Sequence, residues 1–269
     1  MSGVNIRALQ VSLVPLILSI PFLSISCFQT ASELSIFAAA GAKAAVDEVC
    51  QKFEEQYEIQ VSVTYGGGGE VLSQMILAKS GDVYIAPEQR FMEKAVTEGA
   101  VDPQTVRSIA YMIPVIGVQK GNPKDINTLA DLAEPGIRVA ITRPETTLLG
   151  KYAPEIFQKA GLAEDIEQNI VTYAANPDAL LTMLVMDQID AGIIWHFYAT
   201  LAPNEIEAIS LPAEQLTGIA EMQIGLSEYS QNPESAQSYI DFVASAEGKA
   251  AFKEYGYIVN DEEVEKYRQ

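Results

Sequence analysis

The chain has 269 residues, 48% hydrophobic and only 20% charged, which excludes a disordered polymer and allows one large domain or two smaller ones. Its formal net charge of -19 repels nucleic-acid phosphates and anionic headgroups, so neither is an expected partner. Two cysteines cannot form a disulfide framework.

In chain order, Val11 to Ser26 (VSLVPLILSIPFLSIS) is uncharged, strongly apolar and preceded by one charged side chain, Arg7. This is the pattern of an export signal over residues 1–26. The run is short for a membrane span, contains Pro15 and Pro21, and is followed by polar QTASE rather than a basic stop-transfer cluster. LSISC also resembles a bacterial lipobox, which would make Cys27 the lipidated first residue of an exported chain, touching the membrane only through that anchor. Cys50 shares a helical stripe with Val46, Val49 and Phe53, as a buried and inert thiol would.

Beyond the signal, strands and helices alternate. ELSIFAAA, IQVSVTY and GDVYIAP have strand character; AKAAVDEVCQKFEEQY, Val71 to Lys79 and Glu88 to Glu98 have helical periodicity. The resulting βαβαβα order implies a parallel sheet covered on both faces. YMIPVIGVQKGNP then interrupts with a long extended segment, and the alternation restarts: strand GIRVAIT, helix Leu148 to Ala160, strand NIVTYA, helix Pro177 to Met186, strand DAGIIW. AEMQIGLS is extended again, and helices are expected at Pro233 to Ala244 and Glu247 to Tyr255. The fold class is therefore α/β with two lobes, the crossings being Tyr111 to Gln119 and Glu221 to Ser227. Lobe 1 is expected at 28–115 plus 224–269, and lobe 2 at 116–223.

Ligands of open α/β sheets bind beyond the carboxyl ends of the strands. Those ends carry AAGAK, TYGGGGE, TRPETTLLG, AANPD and IIWHF. The four glycines before the second helix allow an oxyanion to reach first-turn amides without a Cβ in the way, or serve only as a tight turn. Glu70, in that same first turn, would repel an anion unless turned aside. In the second half Thr146 and Thr147 offer hydroxyls, Arg143 a guanidinium and Trp195 one indole N–H. Chemistry has little material: His196 is the only histidine, GxSxG and Walker A patterns are absent, and no zinc set of histidines and cysteines can be assembled. A binding protein without cofactor or metal is expected, with an enzyme using His196 as the alternative from another class.

The order IFAAAGAKAAVDEV, YGGGGEVLSQM, GDVYIAPEQRFMEKAVTEGAV, VAITRPETTLLGKYAPEIFQKAG, AGIIW and FVASAEGKAAFKEYGY resembles the molybdate/tungstate-binding solute-binding proteins of ABC transporters, from Leu34 to Tyr257. The resemblance implies a type II periplasmic-binding-protein fold, two α/β lobes joined by two crossing strands and closing on a tetrahedral oxyanion delivered to a membrane permease. By position it implies contacts at Gly41 with Ala42, Gly68 with Gly69, Leu149 with Gly150, Pro177 with Asp178, and Trp195. The family has serines at positions 41 and 68 and a tyrosine at 195. Recognition would then rest on backbone N–H groups, the Trp195 indole, and Thr146 or Thr147. A metal cation or small organic acid is the alternative ligand.

Overall fold

The computed structural model describes residues 33–268; the expected export signal and the expected lipidation site Cys27 lie outside them. None of the described helices is long and apolar enough to cross a membrane.

The first half builds β1 (Glu33–Ala39), α1 (Lys43–Tyr57), β2 (Gln60–Gly66), α2 (Gly68–Ala78), β3 (Val83–Ala86) and α3 (Gln89–Thr97), then β4 (Arg107–Met112). The chain crosses into a second set: β5 (Pro114–Gln119), β6 (Val139–Thr142), α4 (Leu148–Lys159), α5 (Ala163–Asn169), β7 (Ile170–Ala174), α6 (Pro177–Val185), β8 (Ala191–Trp195), α7 (Tyr198–Leu201) and β9 (Ile206–Ser210). It returns for β10 (Ala220–Leu226), α8 (Pro233–Ala244), α9 (Ala246–Glu254) and α10 (Asp261–Glu265).

Two five-stranded sheets result, in the orders β2-β1-β3-β10-β4 and β7-β6-β8-β5-β9. In each, three strands run parallel and the fourth is antiparallel to its neighbour, β10 against β3 and β5 against β8. The sheets exchange chain at two places. The first is Ile113, whose carbonyl accepts from His196 N–H (3.0 Å) and whose N–H donates to His196 Nδ1 (3.1 Å). The second is the stretch 211–219 between β9 and β10. The sheet changes thus fall at Ile113 and within 211–219, whereas the sequence had placed lobe boundaries at 115 and 223, inside β5 and β10. Glu221 to Ser227 does not itself span the lobes, because β10 pairs on both sides within the first sheet.

The expected helices form within a residue or three of their predicted ends. The largest difference is α2, which begins at Gly68 rather than Val71, because Glu70 and Val71 already donate to the Gly67 carbonyl (2.8 and 3.0 Å). Its apolar face, Val71, Leu72 and Met75, is fully buried beneath α3 and against Phe37 and Tyr84. Each such side chain contributes about 1.5–3 kcal/mol. Cys50 is buried against Tyr239 Oη (3.2 Å), and burial pushes its thiol up to about 12, so it is inert as expected.

Candidate functional site

The carboxyl ends of β1, β2 and β3 in one lobe and β6, β7 and β8 in the other face a common cleft of about 490 Å³. The N-termini of α1, α2, α4 and α6 meet it. The tight turn Ala40–Ala42 ahead of α1 uses Lys43 N–H on the Ala40 carbonyl, leaving the Gly41 and Ala42 amides ahead of the first intrahelical bond. At α2 the Gly68 and Gly69 amides are in the same position. Glu70 Oε2 turns back onto Gly67 N–H (3.2 Å), which takes that donor from any ligand while satisfying part of the carboxylate's own charge.

On the facing lobe the first turns are tied internally. Thr147 is the N-cap of α4: its Oγ1 accepts from Gly150 N–H (2.9 Å) and pairs with Thr142 Oγ1 (2.6 Å). The Gly150 amide is therefore spent. Gly150 is buried and has no room for a Cβ, which would stand 2.4 Å from the Arg143 carbonyl oxygen. Leu149 retains its first-turn amide, whereas the Leu148 backbone is turned to the Glu88 carboxylate. Asn176 caps α6 by accepting from Ala179 N–H (2.8 Å), Pro177 has no donor, and the Asp178 amide is left. The Asp178 carboxylate accepts from Tyr198 Oη (2.7 Å). Trp195 closes β8, is buried edge-on to Tyr152, and its indole N–H has no acceptor among the described residues.

Of the residues expected from the sequence, Gly41, Ala42, Gly68, Gly69, Thr146, Thr147, Asp178 and Trp195 line the cleft. Leu149 and Gly150 lie just behind its wall. Arg143 does not line it; what Arg143 contributes is its carbonyl, which accepts from the amides of Thr146 and Thr147 (both 3.2 Å). The cation in the cleft is Arg90, with Glu88 and Phe91 beside it, and the sequence reading missed all three. They follow β3 in APEQRF, the one end among the three parallel strands of the first sheet left out of the inspection.

The glycine positions differ in kind. At Gly41 an added Cβ would meet nothing within 4 Å. At Gly68 it would stand 2.6 Å from Pro87 Cγ and 3.0 Å from Phe91, so the bare backbone there is imposed by packing.

His196 lies outside the cleft, in a second cavity behind the hinge. Burial pushes its imidazole down to about 4, and accepting from Ile113 N–H also requires the neutral ring. Its Nε2 is buried without a hydrogen bond. That ring is held at the hinge and does not line the cleft. Among the described residues no group of three or more His, Cys, Asp or Glu could hold a metal ion.

The family model for bacterial extracellular solute-binding proteins matches residues 34–258, nearly the whole described chain. The chain belongs to that family. This solute-binding protein is 28% identical to a binding protein of Haemophilus influenzae over 228 residues, 85% of this chain and 91% of that one. It is 22% identical to the molybdate-binding protein ModA of Escherichia coli K12, over 84% of this chain and 89% of the relative. Among solved structures it superposes on the substrate-binding domain described as that of a molybdenum ABC transporter from Clostridium difficile. There the TM-score is 0.75 at 20% identity, covering 86% of this chain and all of that one, a likeness of fold. The resemblance read from the order of motifs is thus met in the relatives, and the extracytoplasmic setting accords with the family.

Proposed function

We propose that this solute-binding protein is the receptor of an ABC importer and that it captures a small tetrahedral oxyanion, of the molybdate or tungstate type, in the cleft between its lobes before delivery to the permease. The observation that carries this reading is the convergence of four helix N-termini, with amides of Gly41, Ala42, Gly68, Gly69, Leu149 and Asp178 at or near one cleft. Such amides, supported by the helix dipoles, are donors fixed in place and carry no acceptor, which suits a ligand that is all acceptor. The Trp195 indole adds a donor of the same kind. Hinge closure about Ile113 and 211–219 brings the two sets of donors onto one anion. Molybdate and sulfate have the same charge and shape, so selectivity between them rests on cavity size. A lipid anchor at Cys27 would keep the receptor near its permease.

The test is calorimetric titration with molybdate, tungstate, sulfate and phosphate, with Trp195 fluorescence followed in parallel. The expected result is binding of one or more of these with a change in indole emission. Silence with all four would overturn the oxyanion reading and turn attention to organic acids and cations.

A further inference from the structure

Among the described residues Arg90 is the only cationic side chain lining the cleft, and its setting fixes it there. Its Nε donates to Glu88 Oε2 (2.7 Å), and its guanidinium lies over the Phe91 ring, with Cζ 4.5 Å from the ring centre. Glu88 is 9% exposed; burial pushes its carboxyl up, while Arg90 and the Leu148 backbone draw it back. From Arg90 one contact crosses to the other lobe, Nη2 to the Thr146 carbonyl at 3.4 Å, long for a hydrogen bond, beside the Glu88 contact with the Leu148 backbone. The remaining guanidinium donors have no partner among the described residues. The fork is therefore held at one edge and offers its other donors to the cleft, the geometry that matches a carboxylate or phosphate bidentately.

The same Phe91 ring that carries the guanidinium lies 3.0–3.1 Å from the places where Cβ atoms of Gly68 and Gly69 would stand. Arg90 and the glycine amides are thus two anion-binding features on one wall, separated by a single aromatic ring. The cleft, at about 490 Å³, has the volume of an organic-ligand site, for which about 300–1,000 Å³ is usual.

We propose that Arg90 contacts the solute and determines its class. The solute is a small organic anion with two acidic groups: a tetrahedral head at the helix N-termini and a carboxylate against the Arg90 guanidinium. This rests on the cleft being the solute site. It extends the oxyanion reading by attaching the tetrahedral group to a carbon frame.

The experiment titrates the purified protein and its Arg90→Gln variant with methyl phosphate, phosphoglycolate and molybdate. Arg90→Gln leaves the buried Glu88 carboxylate without its cation and should melt below the parent, so binding is compared below that transition; Arg90→Lys, which keeps the charge but not the planar fork, is the second variant and should also lower the ratio of phosphoglycolate to methyl phosphate affinity. Phosphoglycolate should bind the parent at least about tenfold more tightly than methyl phosphate, and Arg90→Gln should reduce that ratio to about threefold or less. Equal binding of the two phosphomonoesters overturns the proposal, as does a variant that weakens both equally. Tight molybdate binding with both phosphomonoesters silent also overturns it, yet leaves the oxyanion reading standing. If no anion binds, both fail.

Discussion

The two lobes repeat one plan, and the difference between them lies in what finishes it. In each, an aspartate immediately precedes the third strand, donates its N–H to the neighbouring strand and accepts that residue's N–H in return. Asp82 bonds Ser35 in this way (2.7 and 2.9 Å), and Asp190 bonds Arg138 (2.8 and 2.7 Å). Beyond that shared ring the partners diverge. Asp82 is completed by neutral donors, the Ser230 hydroxyl (2.6 Å) and the Gln231 amide (3.2 Å). Asp190 is completed by the Arg138 guanidinium (2.7 Å); burial alone would raise its carboxyl, but the Arg138 hydrogen bonds hold it below the usual carboxylate range. The cleft-facing ends diverge too. The first lobe presents bare glycine amides, while the second spends its Thr147, Asn176 and Tyr198 polar groups on its own helices. Hydroxyls near a cleft are therefore not ligand contacts by default; in this lobe they hold the helix starts that face the cleft.

The largest expected effect separates the two aspartates. Asp190→Ala should cost about 3 kcal/mol in urea unfolding, because it strands a buried amide and part of a guanidinium, the exposed half of Arg138 limiting the loss. Asp82→Ala should cost about 2 kcal/mol, leaving only neutral donors unpaired. Equal losses would mean that the ion pair adds nothing to the shared ring.

The hinge belongs to neither lobe and should respond to pH. His196 has a folded value near 4 against 6.5 for the free side chain, so the unfolded chain binds more protons between these values. Its contribution to stability is complete above pH 6.5 and is lost as pH falls towards 4, by about 3 kcal/mol at most. Unfolding curves of the parent and of His196→Gln should therefore converge over that window as the pH is lowered; parallel curves would show that the ring titrates normally.

Serine substitution tests the two glycine positions. Gly68→Ser should lose about 1–3 kcal/mol and most solute affinity, since Pro87 and Phe91 must move. Gly41→Ser should change stability by no more than about 0.5 kcal/mol and should strengthen oxyanion binding by adding a hydroxyl in open space. The smallest effect compares adjacent threonines by thermal unfolding: Thr147→Ala removes the cap of α4 and should cost about 1 kcal/mol, whereas Thr146→Ala, exposed and uninvolved in the cap, should cost no more than about 0.5 kcal/mol.

What the sequence determined by itself was periodicity: two runs of alternating strand and helix, the break at Pro114, the buried stripe around Cys50, and the strand ends where a site must lie. These are local properties, set by burial at spacings of two and of 3.6 residues, and they require no knowledge of what packs where. Tertiary structure alone decided the rest. Whether a glycine is free or forced depends on Pro87 and Phe91, distant in sequence from Gly68. Whether a threonine meets solute or its own helix depends on hydrogen bonds only the folded loop makes. Arg90 enters the cleft because Glu88 is buried beside it, and His196 leaves the cleft because its ring is taken by the hinge. A side chain's type is written in the chain, but the donors and acceptors left over for a ligand are a remainder, fixed only when every neighbour has taken its share.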